Sequence, residues 1–139
     1  MIEFSGMDII VKQPMPDEHI RLAISSVLHV PEERVAMIDD MTHYPERQDA
    51  DAVCVSSSVE GEFSRLLSIQ AGLSMLPYET HTQFLQSLCE QLGTQYITPD
   101  DQDDNPYVMW LVSPGTTPGR IGLDPVALDE GRYIISRAV

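Results

Sequence analysis

Two stretches of this chain carry apolar residues at the helical period over about three turns, and most other apolar runs are short and rich in β-branched residues. Ile20, Ala23, Ile24, Val27 and Leu28 recur at i, i+3, i+4, i+7 and i+8, which makes one apolar stripe on a helix. Pro16 and Asp17 open it, Asp17 and Glu18 suit the positive helix N-terminus, and Pro31 is expected to close it. The second stretch spans Pro77 to Leu92. Phe84, Leu85, Leu88, Cys89 and Leu92 form its stripe, Thr80 or Thr82 supplies the cap, and Gly93 ends it. Two helices among many short strands predict an α+β fold: a single domain over residues 1–139, with a mainly antiparallel sheet and both helices packed on one face. The strict strand–helix alternation of a doubly wound fold is absent.

The strands are expected as follows. Ile9-Ile10-Val11 is a short β-branched run ending at Gln13-Pro14, and Val35 to Ile38 makes a second. Val53, Val55, Ser57 and Val59 alternate, and Glu60-Gly61 suits a tight turn into Phe63, Arg65, Leu67 and Ile69. That spacing favours a hairpin, although Phe63, Leu66, Leu67 and Gln70 also fit a helical period. Gln95-Tyr96-Ile97 reads as a brief edge strand. Tyr107-Val-Met-Trp-Leu-Val112 is apolar throughout and reads as a central strand covered on both faces. Pro114-Gly115, Pro118-Gly119 and Gly122 read as turns, and Arg132 to Ser136 as a last strand.

Charge restricts function more than fold. The 139 residues carry 22 Asp+Glu against 8 Lys+Arg, a net charge of −14. Such a surface repels nucleic acid and anionic lipid and attracts cations. The basic residues Lys12, Arg21, Arg34, Arg47, Arg65, Arg120, Arg132 and Arg137 are dispersed, so no nucleic-acid groove is expected. The N-terminal residues lack the basic and apolar regions of a signal peptide, and no run is long enough to cross a bilayer. A cytoplasmic protein with two buried free thiols, Cys54 and Cys89, is the expectation.

No pattern spells out a reaction. Asp100, Asp101, Asp103, Asp104 and Asn105 invite calcium, but from Asp101 the sixth position is Pro106 instead of Gly and the twelfth is Val112 instead of Glu. A solvated acidic loop is expected there, with no metal and no cofactor. His19, His29, His43 and His81 show no zinc spacing. Ser56-Ser57-Ser58 does not match G-x-S-x-G. If a small hydrolase assembles only in three dimensions, His43, Ser57 and Cys54 are its candidates.

Two loops concentrate carboxylates beside tyrosines. Asp39, Asp40, Tyr44, Glu46, Asp49 and Asp51 form one; Asp100, Asp101, Asp103 and Asp104, next to Tyr107, form the other. Ring area with surrounding charge suits an interface with a cationic protein. The C-terminal third, with Ile97-Thr98-Pro99-Asp100-Asp101, Asn105-Pro106-Tyr107, Trp110-Leu111-Val112, Pro114-Gly115 and Leu123-Asp124-Pro125, resembles small acidic bacterial immunity proteins. These accompany polymorphic toxins, including contact-dependent growth-inhibition systems. The resemblance implies a non-enzymatic inhibitor of a cognate toxin, the toxin being the C-terminal domain of a secreted effector. An acidic regulatory or adaptor module is the alternative reading, and the small hydrolase the third.

Overall fold

The computed structural model describes residues 1–39 and 50–138. In chain order the elements are β1 (Ile2–Val11), α1 (Asp17–Leu28), a 3₁₀ turn (Glu32–Arg34), β2 (Val35–Ile38), β3 (Ala52–Ser58) and β4 (Glu60–Gly61). They continue with β5 (Arg65–Leu76), α2 (His81–Leu92), β6 (Tyr96–Pro99), β7 (Val108–Val112), β8 (Gly119–Leu123), α3 (Pro125–Asp129), β9 (Arg132–Tyr133) and β10 (Ile135–Ala138). Among the described residues one eight-stranded sheet has the order β10-β8-β7-β6-β1-β5-β3-β2. All its pairings are antiparallel except β2 with β3. This is the expected α+β domain.

Both helices lie on one face, because their stripes find the same core. Ile20, Ala23, Ile24, Val27 and Leu28 of α1 are all buried, as are Phe84, Leu88, Cys89 and Leu92 of α2. They pack with Ile9, Val11, Cys54, Leu67, Tyr96 and Val112 of the sheet. Three cross-links fix the helices. His19 Nε2 donates to the Leu92 carbonyl (2.9 Å), the Tyr78 hydroxyl donates to the Val27 carbonyl (2.8 Å), and the Phe84 ring lies 5.3 Å from that of Phe4. Thr80 caps α2 by accepting from the Gln83 N–H, and Gly93 ends it at φ 74°. α1 stops at Leu28, before Pro31, with His29 in the left-handed conformation as its C-cap.

The opposite face carries a second, smaller core over half of the sheet. Phe63, 1% exposed, sits among Ile10, Ile97, Met109, Ile121 and Leu123. It is carried there by the connection between β3 and β5, which corrects the expected hairpin turn. β3 and β5 do pair, from Ser58↔Arg65 to Ala52↔Ala71, so the hairpin reading of residues 53–70 is right. Glu60-Gly61 is no tight turn, however. It forms β4, which pairs in parallel with β9. A hydrophobic residue at position 63 stabilises more by closing this second core than by extending a ladder.

Three further expectations are corrected. β1 runs over ten residues instead of three. β6 is interior, between β1 and β7, instead of an edge. Gly119–Leu123 is a strand where turns were expected. A Cβ at its Gly122 would meet the flexible, exposed Arg137 side chain at 2.8 Å, which would have to move aside.

Candidate functional site

Of the first acidic cluster, Asp51 lies towards the same end of the sheet as the second cluster, whereas Asp39, after β2, is level with Ser56 further along β3. The registers Val53↔Gln70 and Gly6↔Gln70 place the start of β3 level with the first half of β1. The antiparallel pairing of β1 with β6 brings the end of β6, at Pro99 and Asp100, towards that level. Asp51, just before β3, and the loop after β6 are therefore separated by three strand spacings, about 14 Å. Of the first cluster, Asp40, Tyr44, Glu46 and Asp49 lie outside the described residues, as does His43. Asp39 is exposed at the end of β2.

Asp51 is held by its own chain. Arg34 Nε and Nη2 donate to its two carboxylate oxygens at 2.9 and 3.0 Å, a fork-on-fork pair. The bonds from Arg34 hold this carboxyl below its usual range. The stability that the pair adds is therefore complete above the unfolded carboxyl range, near pH 4, and disappears as pH falls through the lowered value. Beside Asp51 opens a cavity of about 260 Å³ lined by Phe4, Leu28, Val30, Ala71 and Leu76.

The loop after β6 is built, not merely solvated. The Asp100 carboxylate accepts from the Gln102 N–H, Asp103 from the Asn105 N–H, and the Asn105 side chain from the Tyr107 N–H. These successive Asx turns organise the loop locally. Arg120 of β8 then reaches across and pairs with both Asp100 (3.1 Å) and Asp103, its guanidinium 6.0 Å from the centre of the Trp110 ring. The Arg120–Asp100 contact is an ion pair whose N–H is not aligned on the oxygen. Arg120 provides the positive charge that a cation would bring, and no group of three His, Cys, Asp or Glu among the described residues is set to hold a metal. Asp101 and Asp104 remain exposed.

Of the hydrolase candidates, Cys54 and Ser57 do not meet. Cys54 belongs to the helix-side core, and Ser57, three residues further along β3, points to the other face. Burial, reinforced by Asp17, pushes the Cys54 thiol up to about 12, and burial with Glu90 pushes Cys89 up to about 11. Neither is a ready nucleophile. Comparison with protein-family models, curated proteins and solved structures found no match.

Between the two acidic segments lies a feature the sequence did not reveal. β1 pairs with β6 only at Ile10↔Ile97 and Val11↔Tyr96, and the same register carries Lys12 N–H to the Gln95 carbonyl at 2.9 Å. Two residues beyond Ile10↔Ile97 it would place Pro99 opposite Asp8. Proline has no N–H to give. The Thr98 hydroxyl instead donates to the Asp8 carbonyl at 2.8 Å, and the ladder ends. Beyond this point the strands part around a groove of about 360 Å³, lined by Gly6, Asp8, Ser68, Gln70, Thr98 and Asp101. Ser5, Gly6 and Asp8 are exposed although β1 is an interior strand. Asp8 accepts from the Ser68 hydroxyl at 2.7 Å, and its charge adds to burial in raising the Tyr133 phenol. The signal in the sequence was Pro99 at a strand end, which became legible only once its neighbour was known.

Proposed function

We propose that this chain is an acidic protein-binding module, and specifically an immunity protein that neutralises a cationic, nuclease-type toxin in the cytoplasm. The observation that carries the reading is the state of its basic side chains. Arg21, Arg34, Arg120 and Arg132 each pair with a carboxylate of their own chain, against a net charge of −14. Their charge is cancelled locally, so the long-range field is set by the exposed carboxylates. A nuclease presents a cationic cleft to its polyanionic substrate, and such a cleft is drawn to this field. The resemblance of the C-terminal third to immunity proteins supports the same assignment. A carboxylate already engaged by arginine is a weaker contact for a partner, so Asp101 and Asp104 replace Asp100 and Asp103 as the available charges of their loop.

The test is a search of the neighbouring genes for a secreted effector, followed by co-expression of this chain with that effector's C-terminal domain. Restored growth, together with a purified complex whose association slows as salt rises, supports the proposal. A complex that leaves the toxin active favours the adaptor reading instead. Absence of both rescue and complex overturns the assignment.

A further inference from the structure

The geometry points to the unzipped edge of β1, from Gly6 to Asp8, as the place where the protein accepts an extended, lysine- or arginine-rich segment of its partner as an added strand. This rests on the reading of the partner as a cationic protein and specifies how that partner is held.

In the β1–β6 register the N–H and C=O groups of Lys12, Ile10, Asp8 and Gly6 point toward β6, as the Lys12–Gln95 bond and the Thr98–Asp8 bond both show. Gly6 still lies within the regular β1–β5 register, which shifts only between Phe4 and Gly6. Its outward main-chain groups therefore face the groove where a β6 residue would have stood. Exposed strand edges are templates for pairing with another chain. Gly6 has no side chain to obstruct the approach, and it is exposed.

Charge selects the occupant. Asp8 stands on one wall of the groove and Asp101 on the other. A second copy of this chain would bring its own net charge of −14 against these carboxylates, so self-pairing is opposed. A strand with cationic side chains on alternate positions would place them toward Asp8 and Asp101 while its backbone met Gly6. The Ser68 hydroxyl and the Gln70 amide add polar partners on the β5 side.

The probe is a short synthetic peptide that alternates Lys with Val, and its control replaces each Lys with Glu. Amide spectra and hydrogen exchange of the full chain are recorded with each. The expected result is binding of the Lys peptide alone, with shifts and slowed exchange at Gly6 and Asp8. The double variant Asp8→Lys/Asp101→Lys, with an unchanged unfolding midpoint, should weaken the peptide by about tenfold or more. Binding that leaves Gly6 unprotected, or an equal affinity for the Glu peptide, overturns the site. A double variant that neutralises the toxin as well as the parent also overturns it, while leaving the proposed function standing. Protection of Gly6 by the Lys peptide, in a protein that rescues no cell, supports the site and removes the function.

Discussion

At the scale of single residues, one glycine and two thiols show how tertiary contact determines what a position tolerates. Gly61 has φ 108°, and a Cβ there would lie 2.5 Å from the Tyr133 carbonyl oxygen and 2.7 Å from its nitrogen. Both the backbone conformation and the parallel approach of β4 to β9 require glycine. Gly61→Ala should therefore destabilise by about 1–3 kcal/mol in denaturant unfolding, with the second core around Phe63 loosened first. An unchanged midpoint would show that β4 is not held against β9. The thiols are constrained differently. Cys54 is fully buried, and Cys89 donates to the Thr94 carbonyl at 3.3 Å from within the core. With both pushed far above their ordinary range, neither should react with an aromatic disulfide reagent at pH 8 until the chain unfolds. Rapid labelling of one thiol in the native protein would contradict its burial.

At the scale of elements, α2 separates local from tertiary stabilisation. Its cap at Thr80 and its stop at Gly93 were legible because each depends on a few adjacent backbone groups. Losing the cap in Thr80→Ala should cost about 1 kcal/mol. Leu88 is completely buried between the helices and the sheet, so Leu88→Ala should cost about 2–5 kcal/mol through lost transfer energy and a cavity. Paired denaturant curves would check the order of these costs, and equal costs would mean that the stripe is misplaced. The strands were less legible. Gln95-Tyr96-Ile97 read as a brief edge strand, yet the Tyr96 and Ile97 side chains are fully buried between β1 and β7. β8 read as turns because Gly119 and Gly122 fall in a Pro-containing stretch, although β7 and β10 on either side supply the ladders that its own residues do not advertise.

At the scale of the whole molecule, the acidic surplus should weaken the folded state through self-repulsion. Added sodium chloride should raise the unfolding midpoint, because screening shortens to about 8 Å at physiological ionic strength. The same salt should slow association with a cationic partner, so stability and on-rate move in opposite directions. A midpoint that falls with salt would mean that internal pairs such as Arg34–Asp51 outweigh the net repulsion. The α+β class, both helices with their buried stripes, the pairing of residues 53–70 and the acidic character all followed from the sequence, because periodicity, capping and charge are local or additive properties. The length of β1, the place of Phe63 in a second core, the capture of Asp100 and Asp103 by Arg120 and the gap beside Gly6 did not. Each depends on which distant segment lies alongside: β6 carrying Pro99 opposite Asp8, β8 carrying Arg120 beneath the acidic loop, β9 receiving Gly61. Local sequence determined which segments could be strands and helices, and only the folded chain decided which of their polar groups are already engaged and which face outward.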